Sequence, residues 1–179
     1  MRTNLINSLN KICSEFTIKL EELSPNYPIG TCYLMGHCLA EGFKKAGFEA
    51  KEVTGSAIFK DKHDKNIIYG KSITKGQNIG YYHTWCVVEI EGESIIVDPS
   101  IKYNKVAMKS YNVKINSKIP DFIITDTKSS WLHTYVEDSK LNRFSKDCLA
   151  TVHPEMVEVL IDTVAELAML VFHQNNQSA

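Results

Sequence analysis

The chain has 179 residues, 44% of them apolar and 23% charged. A chain of this length and composition predicts one domain, residues 1–179, that buries a core without metal or disulfide staples. With 20 basic and 21 acidic residues the formal net charge is −1. This balance excludes a basic footprint for nucleic acid and a polybasic patch for a membrane surface.

The cysteine content points to a reducing compartment. The five cysteines are an odd number and no two of them are spaced as Cys-x-x-Cys, which argues against a disulfide framework. The N-terminal residues lack the apolar run of a signal peptide, so we expect a cytoplasmic protein. The cysteines to be explained are Cys13, Cys32, Cys38, Cys86 and Cys148.

Two helices are predicted at the start of the chain. A turn rich in Pro and Gly at 24–30 ends the first helix, residues 3–23. In that helix apolar side chains recur every three or four positions, at Leu5, Leu9, Ile12, Phe16 and Leu23. A second helix is predicted from Thr31 to about Ala46, where Gly47 follows two lysines and supplies a stop signal.

A run of β-strands follows the second helix. Glu91-Gly92 forms a two-residue hairpin turn that pairs Ile90 with Glu93, and Pro99 stops the returning strand. Residues 105–124 are expected to add further strand and loop. The predicted strands are 48–60, 67–74, 81–90 and 94–98, with a turn at 75–78.

The C-terminal segment predicts a long helix that packs on the core. Pro154 suits a first helical turn, and from Met156 to Phe172 acidic residues recur at helical spacing opposite a wide apolar face. A helix that mediates a dimer is the alternative interpretation, and the acidic residues exclude a transmembrane span. Two helices, a run of strands and a final helix together predict an α+β fold in which helices pack on an antiparallel sheet.

Cys32 is the first candidate for a chemical role. It falls in the first turn of the second helix, where free backbone N–H groups and the positive end of the helix dipole favour a thiolate. It also shares a core-facing stripe of the helix with Met35, Gly36 and Leu39. Cys38 lies in the middle of the helix and is interpreted as a small buried apolar residue.

His83 and Asp98 are the second and third candidates. The two-residue hairpin turn fixes a register in which Trp85 lies opposite Asp98, and His83 lies opposite Ser100. Alternation along the strands then places His83, Trp85 and Asp98 on one face of the sheet. Asp98 is diagonal to His83 across the strand pair, a distance that long side chains can span.

These three residues together can carry nucleophilic catalysis. A carboxylate beside an imidazole fixes its tautomer and stabilises its cation. The imidazole can then take the proton of a thiol that a helix terminus presents from the same face. We therefore predict Cys32 as the nucleophile, His83 as the general base and Asp98 as the residue that orients His83.

Four short motifs stand in order along residues 28–101, somewhat under half of the chain. They are Gly30-Thr31-Cys32-Tyr33 at a helix start, Ala46-Gly47-Phe48-Glu49-Ala50 at its end, His83-Thr84-Trp85 in a strand, and Val97-Asp98-Pro99-Ser100 before a turn. In type, order and spacing these motifs resemble the core pattern of the transglutaminase-like superfamily.

The resemblance implies a papain-like fold, a Cys32, His83 and Asp98 triad, and chemistry that needs no cofactor. The implied reaction is attack on an amide or acyl carbonyl through a thioester acyl-enzyme, so the expected partner is a peptide, protein or small amide substrate. The long flanking segments and Ca²⁺ sites of large transglutaminases have no counterpart here, which favours a hydrolase of the protease, deamidase or amidase type. The alternatives are a transglutaminase, a small-molecule acyltransferase with the same triad, and an inactive binding module on the same fold.

Three further residues are candidates for the substrate site. The backbone N–H of Cys32 is the natural oxyanion donor at a helix start, and the turn before it offers Asn26 or Tyr27 as the second donor. Trp85 shares a sheet face with His83 and is expected to line the substrate pocket.

A metal site is not expected. His83 and Cys86 are an odd number of positions apart on a strand and therefore point to opposite faces. His37 and Cys38 are adjacent on a helix and diverge by about 100°, so four ligands would not converge. His133 opens a motif that echoes the one at His83 and is an alternative candidate for the base. No Asp-Pro follows it, which favours its interpretation as a surface residue.

Overall fold

The computed structural model describes residues 3–24, 26, 28–71 and 74–176. The described chain has an α+β fold. Its helices are α1 (Thr3–Leu23), α2 (Cys32–Lys45), α3 (Ile101–Ser110), α4 (Asn142–Leu149) and α5 (Pro154–Asn176). Its strands are β1 (Glu49–Lys60), β2 (Asn66–Tyr69), β3 (Gln77–Gly80), β4 (His83–Ile90), β5 (Glu93–Asp98), β6 (Ile123–Thr125) and β7 (His133–Glu137). A turn of 3-10 helix, Ser139–Leu141, precedes α4.

The strands of the described chain form one sheet in the order β3-β2-β1-β4-β5-β6, and β7 pairs with β1. Strand β1 is long enough for three partners. Its residues 49–55 pair with β4, 57–60 with β2, and 55–59 with β7 on the opposite edge. The pairings are antiparallel except that of β2 with β3, so the predicted antiparallel sheet is corrected only at this edge.

The helices α1, α2 and α5 cover one face of the sheet. Two glycines permit their close approach: a Cβ at Gly36 would lie 2.7 Å from Thr84 Cγ2, and one at Gly42 would lie 2.5 Å from Val164 Cβ. The C-terminal helix α5 therefore packs on the core, as predicted. The side chains of β4 and β5 that point toward these helices are Cys86, Val88, Ile90, Ile95 and Val97.

The first two helices end where the sequence predicts. Helix α2 is flanked by Thr31 and Ala46, and Gly47 follows with a φ of +91°, a left-handed conformation that glycine adopts without strain. No helix within the described ranges is long and apolar enough to cross a membrane.

The segment predicted as further strand and loop, 105–124, instead begins inside a helix. Helix α3 starts at Ile101, and the buried residues Ile101, Asn104 and Met108 follow helical spacing. This helical spacing begins at Ile101, directly after β5, so the segment from residue 105 onward contains only its second half. Strand pairing in this segment is confined to β6 and an isolated bridge between Ile115 and Asp61.

The edge of the sheet also differs from the prediction. The strand predicted over 67–74 ends at Tyr69, and β3 covers residues 77–80, of which 77 and 78 were predicted within a turn. Strand β3 reads Gln-Asn-Ile-Gly and has no apolar alternation. It is a strand because it pairs in parallel with β2, an interaction that local sequence does not encode.

Candidate active site

His83 and Asp98 form a buried pair on the face of the sheet opposite the three helices. The β4–β5 register pairs Ile90 with Glu93 and Cys86 with Val97, which sets Asp98 diagonal to His83 as predicted. Nε2 of His83 lies 2.7 Å from Oδ2 of Asp98, and both side chains are 1% exposed.

The Asp98 carboxylate accepts hydrogen bonds at both oxygens. Oδ1 accepts from the backbone N–H of Ser100 at 3.0 Å and from its hydroxyl at 2.6 Å, and Oδ2 accepts from the hydroxyl of Tyr135 at 2.7 Å as well as from His83. Burial alone would raise the pKa of Asp98. The positive imidazole and these donors outweigh burial and hold the pKa below its ordinary value.

The His83 ring is held as a cation by its surroundings. Burial lowers its pKa, but the Asp98 carboxylate and, to a smaller extent, the Cys32 thiol outweigh burial and raise the pKa to about 10. Because Nε2 is engaged by Asp98, Nδ1 is the ring nitrogen left for chemistry. Nδ1 is buried and makes no hydrogen bond of ordinary geometry within the described residues.

Aromatic side chains fix the orientation of the His83 ring. The ring lies 5.8 Å from Phe59 and 5.5 Å from Tyr69, measured between centroids, and it stacks on Trp85 at 6.2 Å. Trp85 is 3% exposed and also contacts Tyr135 at 5.0 Å. Trp85 therefore packs against the ring of His83, and it is not one of the residues that border the cavity shared by Cys32 and His83.

Cys32 is the first residue of α2 and is half-buried. The hydroxyl of Thr31, at the N-cap position, donates to the carbonyl of Pro28 at 2.9 Å and makes no cap hydrogen bond to the helix amides. The first turn of α2 therefore presents backbone N–H groups beside the thiol that this side chain does not occupy.

The thiol and the imidazole approach each other in a different way from the one predicted. The sequence predicts that α2 packs on the sheet face that carries His83. In the structure α2 packs on the other face, over Thr84 and Cys86, because successive residues of β4 alternate between the two faces. Cys32 and His83 nevertheless border the same cavity, because the helix and the strand both begin there.

That cavity has a volume of about 350 Å³. Cys32 and His83 both border it, and much of its wall comes from α3 and from the residues just before β4. Asn26 is exposed and is not one of the residues that border the cavity, and Tyr27 lies outside the described residues. A second depression, of about 550 Å³, lies beside Trp131 and is bordered by neither Cys32 nor His83.

Sequence reasoning missed Tyr135 and the helix α3. The motif at His133 contained the signal for Tyr135, since it repeats the spacing of His83 and Trp85. Its histidine is half-exposed and interacts with Ser130, while Tyr135, two residues later on β7, reaches Asp98.

The residues considered as metal ligands are separated in the structure. His37 Nδ1 interacts with Glu52 at 3.1 Å, Cys38 is buried against α5, and Cys86 lies on the helix-covered face. Within the described ranges, no group of three or more His, Cys, Asp or Glu side chains is arranged to hold a metal ion.

Comparison with known proteins adds information on the fold. No family model matches the chain, and no curated protein matches it. A solved crystal structure, described as that of the genomics target APC5867, superposes with a TM-score of 0.54 at 12% identity, covering 89% of this chain and 78% of that one. At this identity the likeness shows a shared fold and nothing about activity.

Proposed function

We propose that the protein is a cysteine-dependent amide or acyl hydrolase of the transglutaminase-like type, with a papain-like core. The observation that carries the proposal is that the helix-start thiol of Cys32 and the ring of His83, which Asp98 holds at 2.7 Å, border one cavity. A histidine cation beside a cysteine at a helix N-terminus is the environment that favours a reactive thiolate.

In the proposed reaction the Cys32 thiolate attacks the carbonyl carbon of the substrate and forms a C–S bond. The oxyanion of the tetrahedral intermediate accepts a hydrogen bond from the backbone N–H of Cys32. Nδ1 of His83 gives its proton to the leaving amine as the C–N bond breaks, which leaves a thioester. The neutral imidazole then takes a proton from water, the hydroxide attacks the thioester, and an acid and the thiolate are released.

Asp98 acts in this scheme by holding His83. Its hydrogen bond to Nε2 leaves Nδ1 as the nitrogen that exchanges protons, and its charge stabilises the imidazolium that must persist until the leaving group departs. Ser100 and Tyr135 in turn hold the Asp98 carboxylate, which accepts three hydrogen bonds from them besides the one from His83.

The reactivity of Cys32 tests the proposal. Intact protein is treated with iodoacetamide at pH 6, and alkylation of each cysteine is followed by peptide mass spectrometry. Cys148 is the matched control because it is also half-buried, whereas Cys13, Cys38 and Cys86 are buried. We expect Cys32 to react about 10- to 100-fold faster than Cys148, since an ordinary thiol is almost entirely protonated at this pH.

Two variants identify the origin of this reactivity. His83→Gln should bring the alkylation rate of Cys32 at pH 6 close to that of Cys148, and Cys32→Ala should abolish formation of any acyl-enzyme with an amide or thioester substrate. Equal rates for Cys32 and Cys148 in the wild-type protein would refute the proposed hydrolase and favour an inactive binding module.

A further inference from the structure

The cavity that holds Cys32 and His83 is apolar and aromatic. Among the described residues that border it, His83 carries the only basic side chain and none carries a carboxylate. The polar contributions are tyrosine hydroxyls, the amide of Asn104 and the hydroxyl of Ser110, and the hydroxyl of Ser110 donates to the carbonyl of Ala107. The aromatic and aliphatic part of the wall is Tyr69, Ile79, Tyr81, Tyr82, Met108 and Tyr111.

The chemistry of this wall selects against charge. A charged group that enters an apolar cavity loses hydration, and here no acidic side chain among the bordering residues would compensate a cation. Among the side chains that border the cavity, a carboxylate would meet one positive charge, that of His83, which Asp98 already pairs at 2.7 Å. A neutral apolar group instead gains from leaving water.

The size of the cavity and the residues at its mouth indicate how large the ligand is and how far it extends. A volume of about 350 Å³ is at the lower end of small-molecule sites and holds one large side chain and the carbonyl attached to it. At the mouth, Ile29, Tyr81 and Tyr111 are 46%, 90% and 55% exposed. Exposed apolar side chains that continue from a cavity are typical of a surface that binds a longer ligand.

We propose that the acyl donor is a peptide segment whose residue at the scissile carbonyl carries a neutral, aromatic or large aliphatic side chain. This inference rests on the proposed function, because it assigns the carbonyl to attack by Cys32. The side chain of that residue enters the cavity beside α3, and the preceding residues of the peptide lie across Ile29, Tyr81 and Tyr111.

Peptidyl chloromethyl ketones test this proposal directly. The Cys32 sulfur displaces chloride from the probe: a C–S bond forms, the C–Cl bond breaks and chloride leaves. The probes are Ala-Ala-Phe, Ala-Ala-Lys, Ala-Ala-Glu and N-acetyl-Phe chloromethyl ketones, and labelling is followed by intact-protein mass spectrometry. Each rate is divided by the iodoacetamide rate of Cys32, which removes the intrinsic reactivity of the thiol.

We expect Ala-Ala-Phe to label about 10- to 100-fold faster than the Lys and Glu probes, from the area of one buried aromatic side chain. It should also label faster than N-acetyl-Phe, because only the longer probe reaches the mouth. Equal normalised rates for the three tripeptides would refute the preference for an aromatic or aliphatic side chain. Equal rates for the two Phe probes would refute the claim that the ligand is a peptide that extends across the mouth. Slow iodoacetamide labelling of Cys32 would instead refute the hydrolase itself.

A pair of variants on α3 separates recognition from a folding defect. Ala107 borders the cavity, so Ala107→Glu should slow the Phe probe and speed the Lys probe, reversing their order. Val106→Glu adds the same charge to the preceding residue, which is 38% exposed and does not border the cavity, and should change neither rate. A misfolded variant would be labelled slowly by both probes. If the Phe probe still labels Ala107→Glu faster than the Lys probe, the side chain does not enter the cavity beside α3.

Discussion

The hydroxyl of Tyr135 is the part of the site best suited to a quantitative test. It donates to Asp98 Oδ2 at 2.7 Å, and the two residues are 3% and 1% exposed. A hydrogen bond to a charged group contributes about 1.5–3 kcal/mol, and phenylalanine fills the same space without the donor. We therefore expect Tyr135→Phe to lower the free energy of unfolding by about 1.5–3 kcal/mol at neutral pH.

This loss should depend on pH, in a direction that the pKa of Asp98 fixes. Burial raises that pKa, but His83, Ser100 and Tyr135 outweigh burial and hold it below the ordinary value. A lowered pKa contributes stability above the unfolded value, about 3.9, and this contribution disappears as pH falls through the folded value. The difference between Tyr135→Phe and the wild type should therefore be full at pH 7 and shrink below about pH 4.

Urea unfolding at pH 7 and pH 2.5 measures the effect, with Tyr69→Phe as the control. The hydroxyl of Tyr69 donates to a weak acceptor, the sulfur of Met108 at 3.9 Å, so its removal should cost much less. Equal losses for the two variants, or a Tyr135→Phe loss of the same size at both pH values, would show that this hydroxyl does not act on the charge of Asp98.

Three further outcomes follow from the same geometry. Asp98→Asn should lower the pKa of His83 below its ordinary value, because burial remains while the opposing charge is removed; NMR titration of the imidazole measures this, and a pKa still near 10 would contradict it. The wild type should also lose its stability advantage over Asp98→Asn as pH rises from 6.5 through about 10, the window between the unfolded and folded pKa values of His83, as urea unfolding would record. Gly36→Ala should destabilise the fold by about 1–3 kcal/mol. The new Cβ would lie 2.7 Å from Thr84 Cγ2 and 3.2 Å from the backbone nitrogen of Trp85. An unchanged melting temperature would refute this prediction.

The parts of the site that were predictable from the sequence are those encoded locally. The two-residue turn between β4 and β5 fixes the register of that hairpin, and the register alone brings Asp98 to His83. The start of α2 at Cys32 is encoded in the same way, by a Pro- and Gly-bearing turn followed by helical periodicity.

The parts that were not predictable depend on contacts between distant segments. Tyr135 reaches Asp98 only because β7 pairs with β1, an arrangement that joins residues with no local relationship. The cavity wall formed by α3 depends likewise on Ile101 and Met108 packing against the sheet face that carries His83. A single sequence gives the periodicity of a segment, but the face on which it packs is decided by tertiary contacts.

The positions at which α2 and β4 begin explain how one site combines residues from both faces of the sheet. Helix α2 crosses the backbone of β4 at Gly36, against Thr84 and Trp85. Cys32 lies one helical turn before Gly36, about 6 Å along the helix axis, and His83 lies two residues before Trp85, about 7 Å along the strand. At the crossing itself the strand would separate a thiol on α2 from a side chain on the opposite face. Beyond the crossing, a cysteine at the start of α2 and a histidine at the start of β4 can border the same cavity, as Cys32 and His83 do.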